Sequence, residues 1–510
     1  MKKRTLILTG FILVKFLLQF ILISNVYDLQ RDEYLHLDQA HHLAWGYLSV
    51  PPLTSWVSWL ILHLGNSVFW VKFFPALFGT LTLVVVWKTI ETLGGNLYAL
   101  ILGATCILFS ALLRLNTLFQ PNSFDVLSWT TLYFVLISYF SSGKNKWLYI
   151  GALVFALGFL NKYNIGFLLS GFIPAILLTK QRNIFLNRHL YMSACLALML
   201  ISPNLIWQYN NGFPVVHHLK ELADTQLVHV NRADFLKAQL LFFIGALVVI
   251  IAGIVGTAVY RPFRNYRAFA WAIFFTLIVF IYYKAKDYYA IGLYPVYIAF
   301  GSVVVENALA AGWKKYLKPV MIAIPVLLFI PLYRIGFPNK TPEYIIRHPE
   351  PYKRLGLLRW EDGKDHELPQ DFADMLGWKE LATKTDSVWR TLPGDERNIL
   401  ICDNYGQAGA INFYAGSDKM TATSFNADYI NWLNPDKQIK NVVLVKEEDD
   451  DDPGRIKERP YFDTVYLAAK RLNPLAREKE ISIYVLKGAR IDVKERLLKE
   501  KESKKKEYNY

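Results

Sequence analysis

Apolar stretches separated by short polar loops fill the first 337 residues of the chain, whereas the rest has the mixed polarity of a soluble protein. A membrane-spanning helix needs about 20 apolar residues. Eleven stretches are candidates, at 5–26, 68–90, 97–113, 124–140, 147–161, 164–179, 190–207, 236–259, 268–283, 288–305 and 319–337. The pattern predicts an α-helical multi-pass membrane protein with about eleven transmembrane helices in residues 1–337.

The first connection between predicted spans, residues 27–67, is long and also has a helical pattern. Five residues recur in it at helical spacing: Leu37, Ala40, Leu43, Ala44 and Tyr47. The pair Pro51-Pro52 ends this pattern, and a second apolar segment, 53–64, contains Trp56 and Trp59. Because tryptophan favours the membrane–water interface, we predict two interfacial helices that cover one end of the membrane domain.

Residues 338–510 alternate between candidate strands and helices, which is typical of a small α/β domain. The candidate strands are at 398–402, 441–445, 462–467 and 481–486, and the candidate helices at 370–383 and 405–415. We therefore predict a separate, soluble C-terminal α/β domain.

The distribution of lysine and arginine predicts how the chain crosses the membrane. With the N-terminus in the cytoplasm, fifteen of these residues fall in inner loops and nine in outer segments, which agrees with the positive-inside rule. An odd number of spans then places the C-terminal domain outside the cytoplasm, in a plasma (inner) membrane protein. Because this topology accounts for much of the net charge of +14, the charge does not indicate nucleic-acid binding, and we predict none.

No motif indicates a nucleotide-binding loop, a serine triad or a zinc site, and the three cysteines lack the spacing of metal ligands. An enzyme that works outside the cytoplasm has no nucleotide sugars available, and activated sugars are carried there on lipid phosphates. Transfer from such a donor needs a carboxylate that takes a proton from the acceptor. It also needs cations that neutralise the departing lipid phosphate.

Carboxylates and cations of this kind fall at the predicted outer ends of several spans. Asp32 and Glu33 follow the first span, and Asp125 lies at the start of the fourth. Lys162 lies at the turn between spans five and six, and Lys286 at the turn between spans nine and ten. Since these positions share one predicted membrane face, we expect them to meet when the helices form a bundle.

The order of these segments resembles the GT-C glycosyltransferases of the protein O-mannosyltransferase and lipid A aminoarabinose transferase group. The matching segments are Asp32-Glu33-Tyr34, Trp45-Gly46-Tyr47, Pro51-Pro52-Leu53, Lys72-Phe73-Phe74-Pro75-Ala76, Gln120-Pro121 with Asp125, Gly158-Phe159-Leu160-Asn161-Lys162-Tyr163, Ser202-Pro203, Tyr288-Tyr289 and Asn404-Tyr405-Gly406-Gln407-Ala408. The resemblance implies an inverting glycosyltransferase that moves a sugar from a polyprenyl phosphate to an extracytoplasmic acceptor. It also implies a catalytic base in the first loop, for which Asp32 matches best, with Glu33 beside it.

Two departures from the group affect the predicted substrate site. Where some relatives have a donor-binding lysine in the first loop, this chain has Ser49-Val50-Pro51-Pro52, and Pro121-Asn122 replaces Pro-Asp. The donor phosphate must then be bound by Lys162, Lys286 or Arg31. The predicted substrate-binding set is completed by Asp125, Tyr34 and Tyr288. For Asp125, electrostatic capping of its helix remains an open alternative.

Other functions are also compatible with parts of the pattern. A transporter or flippase of lipid-linked sugars is the main alternative, and it would need charged residues at mid-membrane depth and inverted repeats. A membrane sensor would need a signalling element among the inner loops, which are too short to supply one.

No cofactor is predicted with certainty, but a divalent cation is an open alternative in the first loop. Four of its residues include pairs at helical spacing that could bind such an ion: His36, Asp38, His41 and His42. The other reading is the polar face of an interfacial helix, and we assign no metal ligands. The acceptor also stays open between lipid, glycan and protein.

Overall fold

The computed structural model describes residues 2–394, 397–417, 420–435 and 437–507. Helices form nearly all the regular structure of the first 337 residues. The α-helices are α1 Lys2–Ile21, α2 Arg31–Asp38, α3 Leu53–His63, α4 Val68–Thr92, α5 Leu97–Leu108, α6 Leu112–Leu115, α7 Pro121–Ser142, α8 Lys146–Asn161, α9 Ile165–Leu177, α10 Arg188–Asn210, α11 Pro214–Thr225, α12 Arg232–Leu241, α13 Leu247–Val259, α14 Arg267–Tyr282, α15 Pro295–Ala308 and α16 Lys318–Gly336. Short 3-10 helices are at Gln39–His41, Lys180–Leu186, Leu227–His229, Ile244–Ala246, Arg261–Tyr266, Asp287–Leu293 and Gly312–Leu317.

Within the described residues, six helices are long and apolar enough to cross a membrane. They are Lys2–Ile21, Val68–Thr92, Pro121–Ser142, Arg188–Asn210, Arg261–Tyr282 and Gly312–Gly336. Two further helix pairs meet the same criterion together but are bent, by 68° between α12 and Ile244–Val259 and by 47° between Asp287–Leu293 and α15. The predicted multi-pass helical fold is confirmed, while the number of eleven spans stays a prediction.

Hydrogen bonds between loops that are distant in sequence define two ends of the helical bundle. At one end, which carries the first loop, Gln120 Nε2 donates to Gln30 Oε1 over 3.0 Å. At the other end, the N–H of Asn96 donates to a carboxylate oxygen of Glu306 over 2.9 Å. Each pair joins loops that fall at the same membrane face when the N-terminus is in the cytoplasm.

The C-terminal part contains a five-stranded mixed sheet with the order β2-β1-β3-β5-β4. The strands are β1 Asn398–Cys402, β2 Ala422–Ser424, β3 Asn441–Glu447, β4 Phe462–Leu472 and β5 Glu480–Ala489. β1 runs parallel to β2 and β3, whereas β5 runs antiparallel to β3 and β4. The helices are α17 Pro342–Arg347, α18 Glu350–Arg354, α19 Gln370–Ala373, α20 Trp378–Trp389, α21 Tyr405–Tyr414, α22 Tyr429–Trp432 and α23 Val493–Glu507, with a 3-10 helix at Arg459–Tyr461.

This sheet is covered by helices on both faces. Val443 and Ile483 belong to the apolar core shared with α20 and α21, whereas Val442 and Leu486 pack with residues of α23. The alternation along each strand follows from the two-residue period of side chains in a β-strand. The short strand β2 was not predicted, because its sequence Ala-Thr-Ser lacks an alternating apolar pattern.

The first loop differs from its predicted form. α2 begins earlier than the apolar spacing indicates, because the Glu33 carboxylate accepts the N–H of Gln30 over 2.6 Å and completes a capping box. After the 3-10 turn Gln39–His41 the chain is irregular up to α3. In this segment the N–H of Leu48 donates to Asp428 Oδ1 over 2.8 Å. Contacts with the C-terminal part therefore replace the helical hydrogen bonds that the spacing predicts.

Glycines determine how closely α13 and α15 pack. A Cβ atom at Gly301 would lie 1.8 Å from the carbonyl oxygen of Val249, and one at Gly253 would lie 2.1 Å from that of Tyr297. Small residues allow helix backbones to approach in this way inside membranes. The two helices therefore meet backbone to backbone.

We expect Gly301→Ala to lower the melting temperature of the protein purified in detergent, because the added methyl group must push α13 and α15 apart. Overpacking of this kind costs about 1–3 kcal/mol. Gly166→Ala in α9 is the matched control, since a Cβ atom there meets nothing within 4 Å. Equal melting temperatures for the two variants would contradict the close packing.

Candidate active site

The first loop lies between the membrane helices and the C-terminal part, and Tyr34 is at the centre of this contact. Its side chain is fully buried, with ring centres 5.9 Å from those of both Trp378 and Tyr414. The nearby Asp28 carboxylate accepts a hydrogen bond from the backbone N–H of Trp378 over 2.9 Å. Tyr34, predicted to bind substrate, is therefore part of the core that joins α2 to α20 and α21.

Asp32 lies half-buried at the first turn of α2. Its Oδ1 accepts a hydrogen bond from the hydroxyl of Tyr405, which belongs to α21, over 2.6 Å. Its Oδ2 lies 3.4 Å from Gln120 Nε2. One carboxylate oxygen is thus firmly held, while the other has only a long hydrogen bond.

Glu33, the other acid of the predicted pair, has a different environment. Its side chain is 1% exposed. Its Oε1 accepts a hydrogen bond from the backbone N–H of Phe119 over 2.6 Å, and its Oε2 accepts one from the backbone N–H of Gln30. Burial raises the pKa of Glu33 to about 7. Since both of its oxygens accept backbone N–H groups, Glu33 joins α2 to the segment that precedes α7.

A chain of hydrogen bonds leads from Asp32 to Lys162. Gln120 contacts Asp32, and Asn122 Nδ2 donates to Gln120 Oε1 over 3.0 Å. Lys162 Nζ then donates to Asn122 Oδ1 over 2.8 Å. The predicted acid and the predicted cation therefore lie at the same end of the bundle.

Two tyrosine rings border the Lys162 ammonium group. Its Nζ lies 4.1 Å from the ring centre of Tyr289 and 5.3 Å from that of Tyr288. The faces of aromatic rings attract cations. Tyr288, which was predicted to bind substrate, thus lies beside Lys162.

Asp125 lies beyond the first turn of α7 and is 5% exposed. Its Oδ2 accepts from Asn164 Nδ2 over 2.8 Å, and the same amide group donates to the carbonyl of Tyr289 over 2.9 Å. This position connects α7 with the segment that carries Tyr288 and Tyr289. Asp125 therefore lies too far along α7 to act as an electrostatic cap of its N-terminus.

The two remaining predicted cations have partners from the C-terminal part. Lys286 Nζ forms an ion pair with Glu361 over 2.6 Å. The Arg31 guanidinium carbon lies 4.4 Å from the ring centre of Tyr405. The structure therefore brings Asp32, Lys162, Tyr288 and Arg31 to one region, with Lys286 paired beside them.

Several side chains of this region were not assigned a role from the sequence: Gln120, Asn122, Asn164, Glu361 and Tyr405. Gln120 and Tyr405 lie within segments that carried the family resemblance, so a signal was present. Asn122 was noted only as a departure from the group, although the structure shows that it holds Lys162.

The first-loop residues considered for a divalent cation have separate partners. His36 Nδ1 lies 3.4 Å from Gln39 Oε1, and the ring of His42 stacks on that of Trp432 with 4.3 Å between centres. Within the described ranges, no group of three or more His, Cys, Asp or Glu side chains is placed to hold a metal ion.

Two buried carboxylates hold the first loop against the C-terminal part. Asp38 Oδ2 accepts from Asn412 Nδ2 over 2.6 Å and also from the hydroxyl of Tyr429. Asp428 accepts the N–H of Leu48. Burial raises the pKa of Asp38 to about 7 and that of Asp428 to about 6.

We expect the burial of Asp38 to make the protein less stable as the pH rises. A carboxyl group whose pKa is higher in the folded than in the unfolded protein takes up a proton on folding, so the unfolding free energy decreases with rising pH. For Asp38 the window runs from its ordinary pKa of about 4 to about 7. Asp38→Asn keeps an oxygen that can accept both hydrogen bonds, so the melting temperature of this variant should depend less on pH across that window. An unchanged pH dependence would contradict this assignment.

Comparison with known proteins connects this arrangement to a class of enzymes. The family model described as dolichyl-phosphate-mannose-protein mannosyltransferase matches residues 49–207. The crystal structure of ArnT from Cupriavidus metallidurans bound to undecaprenyl phosphate is similar with a TM-score of 0.61 and 11% identity, covering 93% of this chain and 97% of ArnT. For the crystal structure of ArnT in the apo state the TM-score is 0.59 and the sequence identity is 12%. The match covers 94% of this chain and 98% of ArnT. No curated protein matches the sequence.

The similarity to ArnT includes both the membrane helices and the C-terminal part, so the chain has the GT-C fold. The segment matched by the family model, residues 49–207, lies among the membrane helices, so in both comparisons the chain is similar to a membrane glycosyltransferase with the GT-C fold. The resemblance indicated by its motifs is thereby confirmed.

Proposed function

We propose that the protein transfers a sugar from a polyprenyl-phosphate donor to a hydroxyl or amine of an extracytoplasmic acceptor. The observation that carries the proposal is the hydrogen-bonded chain between Asp32 and Lys162. Such a transfer requires a base for the acceptor and a cation for the leaving phosphate at one site. The family match and the similarity to ArnT, which was crystallised with undecaprenyl phosphate, support this class of donor.

Asp32 is the base in this proposal. The acceptor oxygen or nitrogen forms a bond to the anomeric carbon as its proton passes to Asp32, and the bond from that carbon to the phosphate oxygen breaks. Attack from the face opposite the phosphate inverts the configuration. Glu33 is not suited to this task, because backbone N–H groups occupy both of its oxygens.

Lys162 holds the donor phosphate. Its hydrogen-bond partner is a neutral amide, and no ion pair involves it in the part of the chain that the structure describes. Asp125 interacts electrostatically with the charge of Lys162, but no carboxylate among the described residues forms an ion pair with it, so it is available to neutralise a phosphate. Lys286 already pairs with Glu361, so it takes a secondary role, whereas Arg31 and Tyr288 border the donor site.

The excess of basic residues in the predicted inner loops supports a plasma (inner) membrane location, with the site and the C-terminal domain outside the cytoplasm. In this arrangement residues 1–337 form the transferase domain and residues 338–510 cover the site or recruit the acceptor. Lipid, glycan and protein acceptors can each present the hydroxyl or amine that this chemistry needs.

A transporter would need charged residues along a path at mid-membrane depth. The proposed functional charges instead lie at the end of the bundle that carries the first loop. Lys15, inside α1, is an exception, but its Nζ donates to Gln19 Oε1 and Asn116 Oδ1, both over 2.8 Å. These observations favour the enzyme over the transporter.

We expect Asp32→Asn to reduce transfer by about 10²- to 10⁴-fold, the usual contribution of a general base. The product is sought by mass spectrometry of membrane lipids, glycans and exported proteins from cells with and without the wild-type protein. Asp224→Asn, at an exposed position of α11, is the matched control. Full transfer by Asp32→Asn at equal protein levels would refute the mechanism.

We expect Lys162→Met to bind undecaprenyl phosphate at least about tenfold more weakly, because hydrogen bonds to charged groups contribute about 1.5–3 kcal/mol. The increase in melting temperature on titration with undecaprenyl phosphate measures this affinity. Lys314→Met is the control, since Lys314 is exposed in a loop predicted at the other membrane face. Equal affinity of wild type and Lys162→Met would remove Lys162 from the donor site.

A further inference from the structure

The C-terminal part contributes a side chain directly to the proposed base. The hydroxyl of Tyr405 donates to Asp32 Oδ1 over 2.6 Å, across 373 positions of sequence. Tyr405 is the first residue of α21 and is half-buried. Its ring also lies under the Arg31 guanidinium group. The hydroxyl and the ring of one residue therefore contact two successive residues at the start of α2.

Asn404, the residue before Tyr405, holds it in this place. Asn404 caps α21, because its Oδ1 accepts the N–H groups of Gly406 over 2.8 Å and of Gln407 over 3.1 Å. Asn404 Nδ2 also donates to Glu478 Oε1 over 2.8 Å, which attaches the cap to the sheet domain. The position of the phenol is thus determined by the fold of the C-terminal part.

Two glycines of α21 allow this helix to approach α2 closely. A Cβ atom at Gly406 would lie 2.7 Å from Arg31 Cγ, and one at Gly409 would lie 2.8 Å from Tyr34 Cβ. Gly406 and Gly409 are three residues apart, as are Arg31 and Tyr34, so each pair lies on one face of its helix. These two faces pack against each other. The close approach brings the Tyr405 hydroxyl within reach of Asp32.

We propose that Tyr405 is a positioning residue, which holds Oδ1 of Asp32 so that Oδ2 faces the acceptor and takes its proton. This inference rests on the proposed function, in which Asp32 is the base. Oδ2 is the less engaged oxygen, since its only hydrogen bond among the described residues is the 3.4 Å contact with Gln120. The C-terminal part then completes the active site, in addition to covering it.

Tyr405→Phe tests this role, because it removes the hydroxyl but keeps the ring beneath Arg31. Without the hydrogen bond from this hydroxyl, Asp32 can turn away from the acceptor, and a small misplacement of a reacting group can cost about 100-fold, so we expect the transfer rate to fall by about 10- to 100-fold. The affinity for undecaprenyl phosphate should be unchanged, because Lys162 and Asn122 are not altered. The transfer rate is measured in membranes as the rate at which the product identified for the wild-type protein forms. The affinity for undecaprenyl phosphate is measured from the increase in melting temperature on titration with this lipid.

Tyr414→Phe is the matched control: it makes the same change in the same helix, where the hydroxyl contacts that of Tyr34 over 3.4 Å. The proposal is supported if only Tyr405→Phe slows transfer while its melting temperature and lipid affinity equal those of the wild type. A wild-type rate for Tyr405→Phe would overturn it, as would a slower rate that is accompanied by a lower melting temperature or weaker lipid binding.

Asp32→Asn, measured in the same series, separates this inference from the proposed function. If Asp32→Asn transfers sugar normally, the assignment of the base is wrong and the proposed function fails. If Asp32→Asn is inactive and Tyr405→Phe behaves as the wild type, only the positioning role is wrong.

Discussion

The buried carboxylate of Glu33 is the contact on which the geometry of the site depends. One oxygen completes the cap of α2 and the other accepts the N–H of Phe119, in the segment before α7. An unpaired backbone N–H group is costly to bury, so these bonds determine where α2 begins and where it lies. As a consequence, Asp32 faces Gln120 and Tyr405, while Glu33 points into the protein.

The membrane helices and the C-terminal part of the chain meet at α2, and each supplies half of the environment of Asp32. The membrane helices contribute the polar chain through Gln120 and Asn122 to Lys162, and the C-terminal part contributes Tyr405. Charged groups held in advance at the place where charge develops lower the barrier to reaction. The close packing of these two parts of the chain is therefore also a condition for the proposed chemistry.

Much of the architecture could be predicted from local patterns. Apolar stretches of sufficient length indicated the membrane helices, and short apolar runs between helices indicated four of the five strands. The first-loop helix was placed too late, because its start depends on Gln30 and Glu33 rather than on apolar spacing. The predicted helix at 370–383 is interrupted, since Gly377 has a φ of +84° and separates α19 from α20.

The sequence alone determined the class of fold, the acidic pair after the first span and the lysine between α8 and α9, because these depend on local polarity and order along the chain. Only the tertiary structure decided which acid faces the site, that Asn122 holds Lys162 and that Tyr405 reaches Asp32. Such contacts depend on the direction of side chains on helices that are far apart in sequence. Linear spacing carries no information on that direction, whereas packing of the helices determines it.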